Sequence, residues 1–110
     1  MRIKPTTSLA ALSAALAIMA GAFGAHVAHP PAGDLLRTGA FYQLVHAVAA
    51  IALTDRFRAQ AWVLLAGAAV FAGSLYALAA GAPRYLGAVT PIGGATMIAG
   101  WIWVAVRAGR

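Results

Sequence analysis

Cysteine is absent from the 110-residue chain, which excludes disulfides, thiolate metal sites and cysteine nucleophiles. With nothing to oxidise, the redox compartment is unreadable. Carboxylates are almost as scarce: Asp34 and Asp55 are the only two, and they fall at turns on opposite sides of the arrangement derived below, so they form no acid/base pair. Charge of either sign makes up 9% of the chain against 63% hydrophobic residues, where soluble domains carry about 25% charged residues. A globule of this size has too few polar side chains to face water. No phosphate-binding loop, dinucleotide-binding glycine pattern or nucleophile elbow is present.

The charge that is there is basic, with a formal net of +6. Nucleic-acid binders gather their cations on one face or in a stripe. Here Lys and Arg sit singly or in pairs between apolar runs, the pattern of membrane topology signals. Nucleic acid is therefore not an expected partner.

A helix needs about 20 apolar residues to cross a hydrocarbon core of about 30 Å. Four stretches meet this, over residues 6–27, 35–53, 61–80 and 86–106, and the expected fold is an all-α integral membrane bundle of four transmembrane helices in a single domain, 1–110. The connections His29-Pro30-Pro31-Ala32-Gly33, Thr54-Asp55-Arg56-Phe57-Arg58 and Gly81-Ala82-Pro83-Arg84 carry the proline, glycine and charge expected of turns. Asp34 is a natural N-cap for the second span. Arg37 then lies one turn inside, its guanidinium reaching back to the interface along an apolar stem. The residues Met1 to Lys4 with the apolar run from Leu9 also resemble a secretory signal with a cleavage site at Ala20-Gly21-Ala22, but three further spans follow, and a retained first span fits the whole chain better.

Arg2, Lys4, Arg56, Arg58, Arg107 and Arg110 fall on one side of this arrangement, and only Arg37 and Arg84 on the other. The richer side is the cytoplasmic one by the positive-inside rule, which puts both termini in the cytoplasm. Trp62, Trp101 and Trp103 lie toward that same side, where an indole can keep its ring among headgroups.

Spans in lipid associate by close backbone approach and interhelical hydrogen bonds, so small residues should line the packing faces. On the first span Ala10, Ala14, Ala17, Gly21, Gly24, Ala25 and Ala28 share a side opposite Leu9, Leu12, Leu16, Met19 and Phe23. On the third, Ala66, Ala69, Gly73, Ala77 and Ala80 face away from Leu64, Phe71, Leu75 and Leu78. These two faces are also the expected contact for a second copy. Within the fourth span, Thr90-Pro91-Ile92-Gly93-Gly94 predicts either a packing kink that lets helices approach through the glycines, or an unwound segment whose carbonyls line a cavity.

The second span carries the most informative group. Tyr42, Gln43 and His46 fall within a 100° arc with Gly39, Ala50 and Leu53, while Phe41, Leu44, Val45, Val48 and Ile51 cover the opposite face. That arc is expected to face the bundle interior, either to set helix register through bonds such as one from Gln43 to a neighbouring carbonyl, or to form a site for a ligand, a proton relay or a histidine-held haem or metal. His26 is a secondary candidate. With His29 it has the i, i+3 spacing of a metal pair, but no cysteine and no carboxylate beyond Asp34 accompanies them, and solvated interface histidines are the simpler assignment. Its depth also matches that of His46 poorly for a shared haem. Ser74, without a nearby histidine or acid in sequence, is a packing hydroxyl.

Met19-Ala20-Gly21-Ala22-Phe23-Gly24-Ala25-His26, Thr38-Gly39-Ala40-Phe41-Tyr42-Gln43-Leu44-Val45-His46-Ala47, Phe71 to Tyr76, Leu86-Gly87-Ala88-Val89-Thr90-Pro91-Ile92-Gly93-Gly94 and Gly100-Trp101 resemble, in order and spacing, the small inner-membrane protein family of YgdD, which includes the eukaryotic transmembrane protein 256. The chain departs from that pattern at Val27, where glycine commonly follows the histidine, and at Ala72, where serine is usual before Gly73-Ser74. The second change weakens any catalytic idea built on serines there. The resemblance implies a multi-pass protein of the bacterial inner membrane and no established activity, metal or cofactor. The leading expectation is an accessory or structural protein that makes no chemistry of its own and binds membrane lipid, a second copy or another membrane protein. The alternative is a small-ligand or proton-handling bundle with a mid-membrane site of Tyr42, Gln43 and His46, capped by Thr90 and Pro91.

Overall fold

A computed structural model describes residues 4–110 and is all-helical, without strands among those residues. Helix α1 spans Pro5–His26, α2 Ala32–Leu53, α3 Arg58–Ala79 and α4 Thr90–Ala108, with a short 3-10 turn at Arg84–Ala88 before α4. Arg2, counted above among the cations, lies outside the described residues. All four helices are long and apolar enough to span a membrane. At about 1.5 Å per residue, each of the first three is about 33 Å long, close to the thickness of a hydrocarbon core.

The helix ends follow local chemistry. Pro5 occupies the first turn of α1, where no backbone donor is needed. Asp34 is not the N-cap of α2: that helix starts at Ala32, and Asp34 stands inside its first turn, ion-paired with Arg37 at i, i+3. A carboxylate there still favours the positive end of the helix dipole, and both side chains are exposed. Helix α3 closes with Gly81 at φ 99°, its N–H bonding Leu78 O while that of Ala82 bonds Ala77 O at 2.9 Å. This is a Schellman stop, which places glycine at the left-handed position. Pro91 does not kink the middle of a long fourth span. The chain runs as a 3-10 turn through Arg84–Ala88 and begins a new α-helix at Thr90, so Pro91 sits where its missing N–H costs nothing.

Short connections make sequential helices antiparallel neighbours. The start of α1, the α2–α3 turn and the end of α4 therefore share one side, where Lys4 Nζ meets Asp55 Oδ1 at 2.8 Å. Helices pack in chain order, α1 on α2, α2 on α3 and α3 on α4, with only marginal contact between α1 and α3. The molecule is an open arc measuring 45 × 32 × 17 Å.

The small-residue face of α1 is its packing face through Ala10, Ala17 and Gly24, which are buried, while Leu9, Leu12, Leu16, Met19 and Phe23 face outward; Ala25, expected on the packing face, is exposed, and Ala28 lies beyond the helix. On α3 the expectation is reversed. Ala66, Ala69, Gly73 and Ala80 are exposed, whereas Leu64, Leu65, Gly67, Ala68, Ala72 and Leu75 are buried. The cause is position in the arc, since α3 is gripped from two sides by α2 and α4 and needs bulk to fill both contacts. Its small stripe instead joins Leu16 and Gln43 in apolar grooves of about 490 and 510 Å³ beside α1.

Closest approach is made by glycines. A Cβ on Gly93 would lie 2.8 Å from Gly67 O and closer still to the backbone of Phe71, and one on Gly67 would lie 2.9 Å from Met97 N. Where α1 crosses α2, a Cβ on Gly33 would lie 2.7 Å from Gly24 O. Gly94, the other glycine expected at the α4 crossing, has room: its Cβ would meet only Phe71, at 3.9 Å.

Candidate functional site

The polar arc of α2 divides. Gln43 and His46 are buried, with 8% and 5% exposure, while Tyr42 at the arc's edge is 40% exposed, contrary to its expected inward placement. At 100° per residue Tyr42 and Gln43 point in different directions, and the open arc leaves the Tyr42 side uncovered by α1.

Gln43 spans three helices. Its Nε2 donates to Ser13 O and Ser13 Oγ on α1, both at 3.0 Å, and its Oε1 accepts from Tyr76 OH on α3 at 2.6 Å. Both donors and the carbonyl oxygen of the amide are thus in use. His46 is held at both ring nitrogens. Trp101 Nε1 on α4 donates to Nε2 at 3.0 Å. Because an indole N–H can only donate, Nε2 is the acceptor, the proton sits on Nδ1, and Nδ1 donates to Tyr42 O at 2.7 Å. The bonding pattern therefore assigns a neutral ring with its tautomer set by its partners.

A third polar contact joins α3 to the start of α4: Ser74 Oγ lies 2.5 Å from Thr90 Oγ1 and donates to Phe71 O at 2.8 Å. Thr90 thus bonds Ser74 rather than capping the α2 arc, and Pro91 is exposed beside it. Among the described residues no buried side-chain N or O lacks a partner.

A histidine that ligates haem or metal needs a free ring nitrogen, and His46 has none. His26 is exposed at the last residue of α1, His29 is exposed in the turn beyond it, and no cluster of three metal-ligating side chains exists among the described residues. What the arrangement does chemically is cross-link helices in a solvent where each alternative is an unpaired polar group. Ser13, Tyr76 and Trp101 were not singled out as polar-site residues from sequence. The signal was there in part, because each puts a hydrogen-bonding group within an apolar span.

The fold and this internal bonding define an α-helical, four-span integral membrane protein. Residues 20–94 match the family described as "Protein of unknown function (DUF423)". Over 113 aligned residues the chain is 35% identical to the UPF0382 membrane protein YwdK of Bacillus subtilis, covering 91% of this chain and 92% of that one. It is 38% identical to the UPF0382 inner membrane protein YgdD of Escherichia coli K12, covering 92% and 86% respectively. A UPF0382 membrane protein of Staphylococcus epidermidis is 35% identical over 86% of each chain. No solved structure matches. The chain belongs to this family of membrane proteins, and its place is the inner membrane.

Proposed function

We propose that the chain is a non-catalytic accessory protein of the inner membrane, with both termini cytoplasmic, which binds other membrane components through its outward faces. One observation carries this reading: the buried polar groups that sequence marks as a site are consumed within the chain, Gln43 by Ser13 and Tyr76, and His46 by Trp101 and the Tyr42 carbonyl. A proton relay through His46 would first have to break the Trp101 bond, because a protonated Nε2 sets N–H against N–H. Support for the orientation comes from the cations, Lys4, Arg56, Arg58, Arg107 and Arg110 sharing one side among the described residues.

The test is native mass spectrometry of the protein and its His46→Leu variant, extracted gently from their own membranes. Components that remain bound to the folded fraction of His46→Leu support the accessory reading. Loss of a bound component from fully folded His46→Leu would return His46 to the role of a ligand-binding residue.

A further inference from the structure

The hydroxyl of Tyr42 stands apart from the bonding described above. It makes no hydrogen bond among the described residues. Ten residues into α2, Tyr42 lies about 15 Å from the helix start, near mid-membrane, at about 1.5 Å per residue. An unpaired O–H is costly there, because no water is at hand to replace a missing partner.

Tyr42 lines a cavity of about 370 Å³ between α2 and α4, together with His46, Phe71 and, on α4, Gly94, Met97, Ile98 and Trp101. The cavity exists because α2 and α4 stand apart: their Cα atoms nowhere approach within 8 Å, and among the described residues Trp101–His46 is the one hydrogen bond that joins them. The walls are aromatic and mutually braced. Tyr42 meets Phe71 edge to face at 4.8 Å between centroids, His46 meets Trp101 at 5.9 Å and 60°, and Tyr42 and His46 are nearly parallel at 23°. Gly94 contributes no side chain, which leaves the space open on the α4 side.

A pocket within the usual ligand range, mostly aromatic with a single free polar group, fixes the chemistry of its occupant. Ring faces of tyrosine and tryptophan are electron-rich and favour a flat electron-poor ring. The hydroxyl asks for an acceptor on that ring. The absence of any charged side chain from the lining suits a neutral molecule, and a mouth opening onto lipid suits an apolar tail.

We propose that this cavity binds the head of a lipid-soluble quinone, a neutral ring whose carbonyl oxygen accepts from Tyr42 OH while its tail runs into the bilayer. Binding alone is involved, with no electron transfer. The proposal rests on the accessory reading and names one membrane component that such a protein would hold.

The experiment is a fluorescence titration of the full chain in lipid nanodiscs with a decyl-tailed benzoquinone. The background variant carries Trp62→Phe and Trp103→Phe, leaving Trp101 as the sole indole. Quinones quench indole emission on contact, so occupancy of the cavity gives saturable quenching, and an ordinary decyl chain without the ring gives none. Tyr42→Phe removes only a hydroxyl that has no partner in the fold, so the variant folds normally and binds about two- to tenfold more weakly, the size of one lost hydrogen bond. Gly94→Leu fills the cavity and abolishes saturation. Quenching that rises linearly with quinone in the bilayer, or that is unchanged from the background variant in Tyr42→Phe and Gly94→Leu, would overturn the proposal. Neither result touches the accessory reading, which fails only on the His46→Leu outcome given above.

Discussion

Trp101 and His46 are 55 residues apart in sequence and 3.0 Å apart in the fold, the indole N–H of α4 donating to the unprotonated Nε2 of an α2 imidazole. No other hydrogen bond joins these two helices among the described residues. Its consequence is measurable. A double-mutant cycle with Trp101→Phe and His46→Phe, read by reversible unfolding in mixed micelles, should give a coupling of about 0.6 kcal/mol and no more than about 1.7, the range for interhelical bonds in membranes. A coupling of zero would mean that the bond does not form in the bilayer.

Gln43 should be the more sensitive position. Gln43→Leu leaves the Tyr76 hydroxyl without its acceptor and the Ser13 groups without their donor, and it should cost about 1–3 kcal/mol. Tyr76→Phe in the Gln43→Leu background should cost less than in the wild type, because its partner is already gone. Equal costs in both backgrounds would show the two side chains to be independent.

The glycines divide by what a methyl group would meet. Gly93→Ala drives a Cβ into the backbone of Phe71 and Gly67 and should destabilise by about 1–3 kcal/mol, as overpacking does. Gly73→Ala adds a methyl to open space on the exposed side of α3 and should leave stability unchanged or raise it by up to about 1 kcal/mol through helix propensity. A destabilised Gly73→Ala would show that a partner covers that stripe in the membrane.

Gly81→Ala tests the turn. With φ at 99°, any side chain there is strained, and the variant should lose about 1–2 kcal/mol in the same unfolding assay. A neutral result would mean that the end of α3 rearranges freely.

Topology is tested cleanly because the chain has no cysteine. A single cysteine replacing Arg110 should react with a membrane-impermeant maleimide only after the cytoplasmic side is opened. One replacing Ala82, in the α3–α4 connection, should react from the periplasmic side of intact spheroplasts. The opposite pattern would invert the proposed orientation.

Much of the architecture was legible because it depends on quantities local to each segment. Four apolar runs, their turns and the outward bulk of α1 follow from composition and from the 100° step between residues. The buried side of α2 was legible at Gln43 and His46 for the same reason, since a polar group in lipid must turn inward. Tyr42 escaped that rule because an aromatic ring can lie at the rim of a packing face. Trp101 was not legible as the partner of His46, because the two are 55 residues apart and only the packing of the helices brings them together.

The sequence by itself determined that this protein lives in a membrane, how many helices cross it, and that Gln43 and His46 had to turn inward there, because each of these follows from the transfer of residues between water and lipid. Only the tertiary structure decided who those partners are and which face of α3 is inside. Those outcomes depend on the order in which helices meet around the arc. That order puts α3 between two neighbours, turns its stripe of Ala66, Ala69 and Gly73 outward, and brings α4 within reach of His46 while leaving a cavity beside Tyr42.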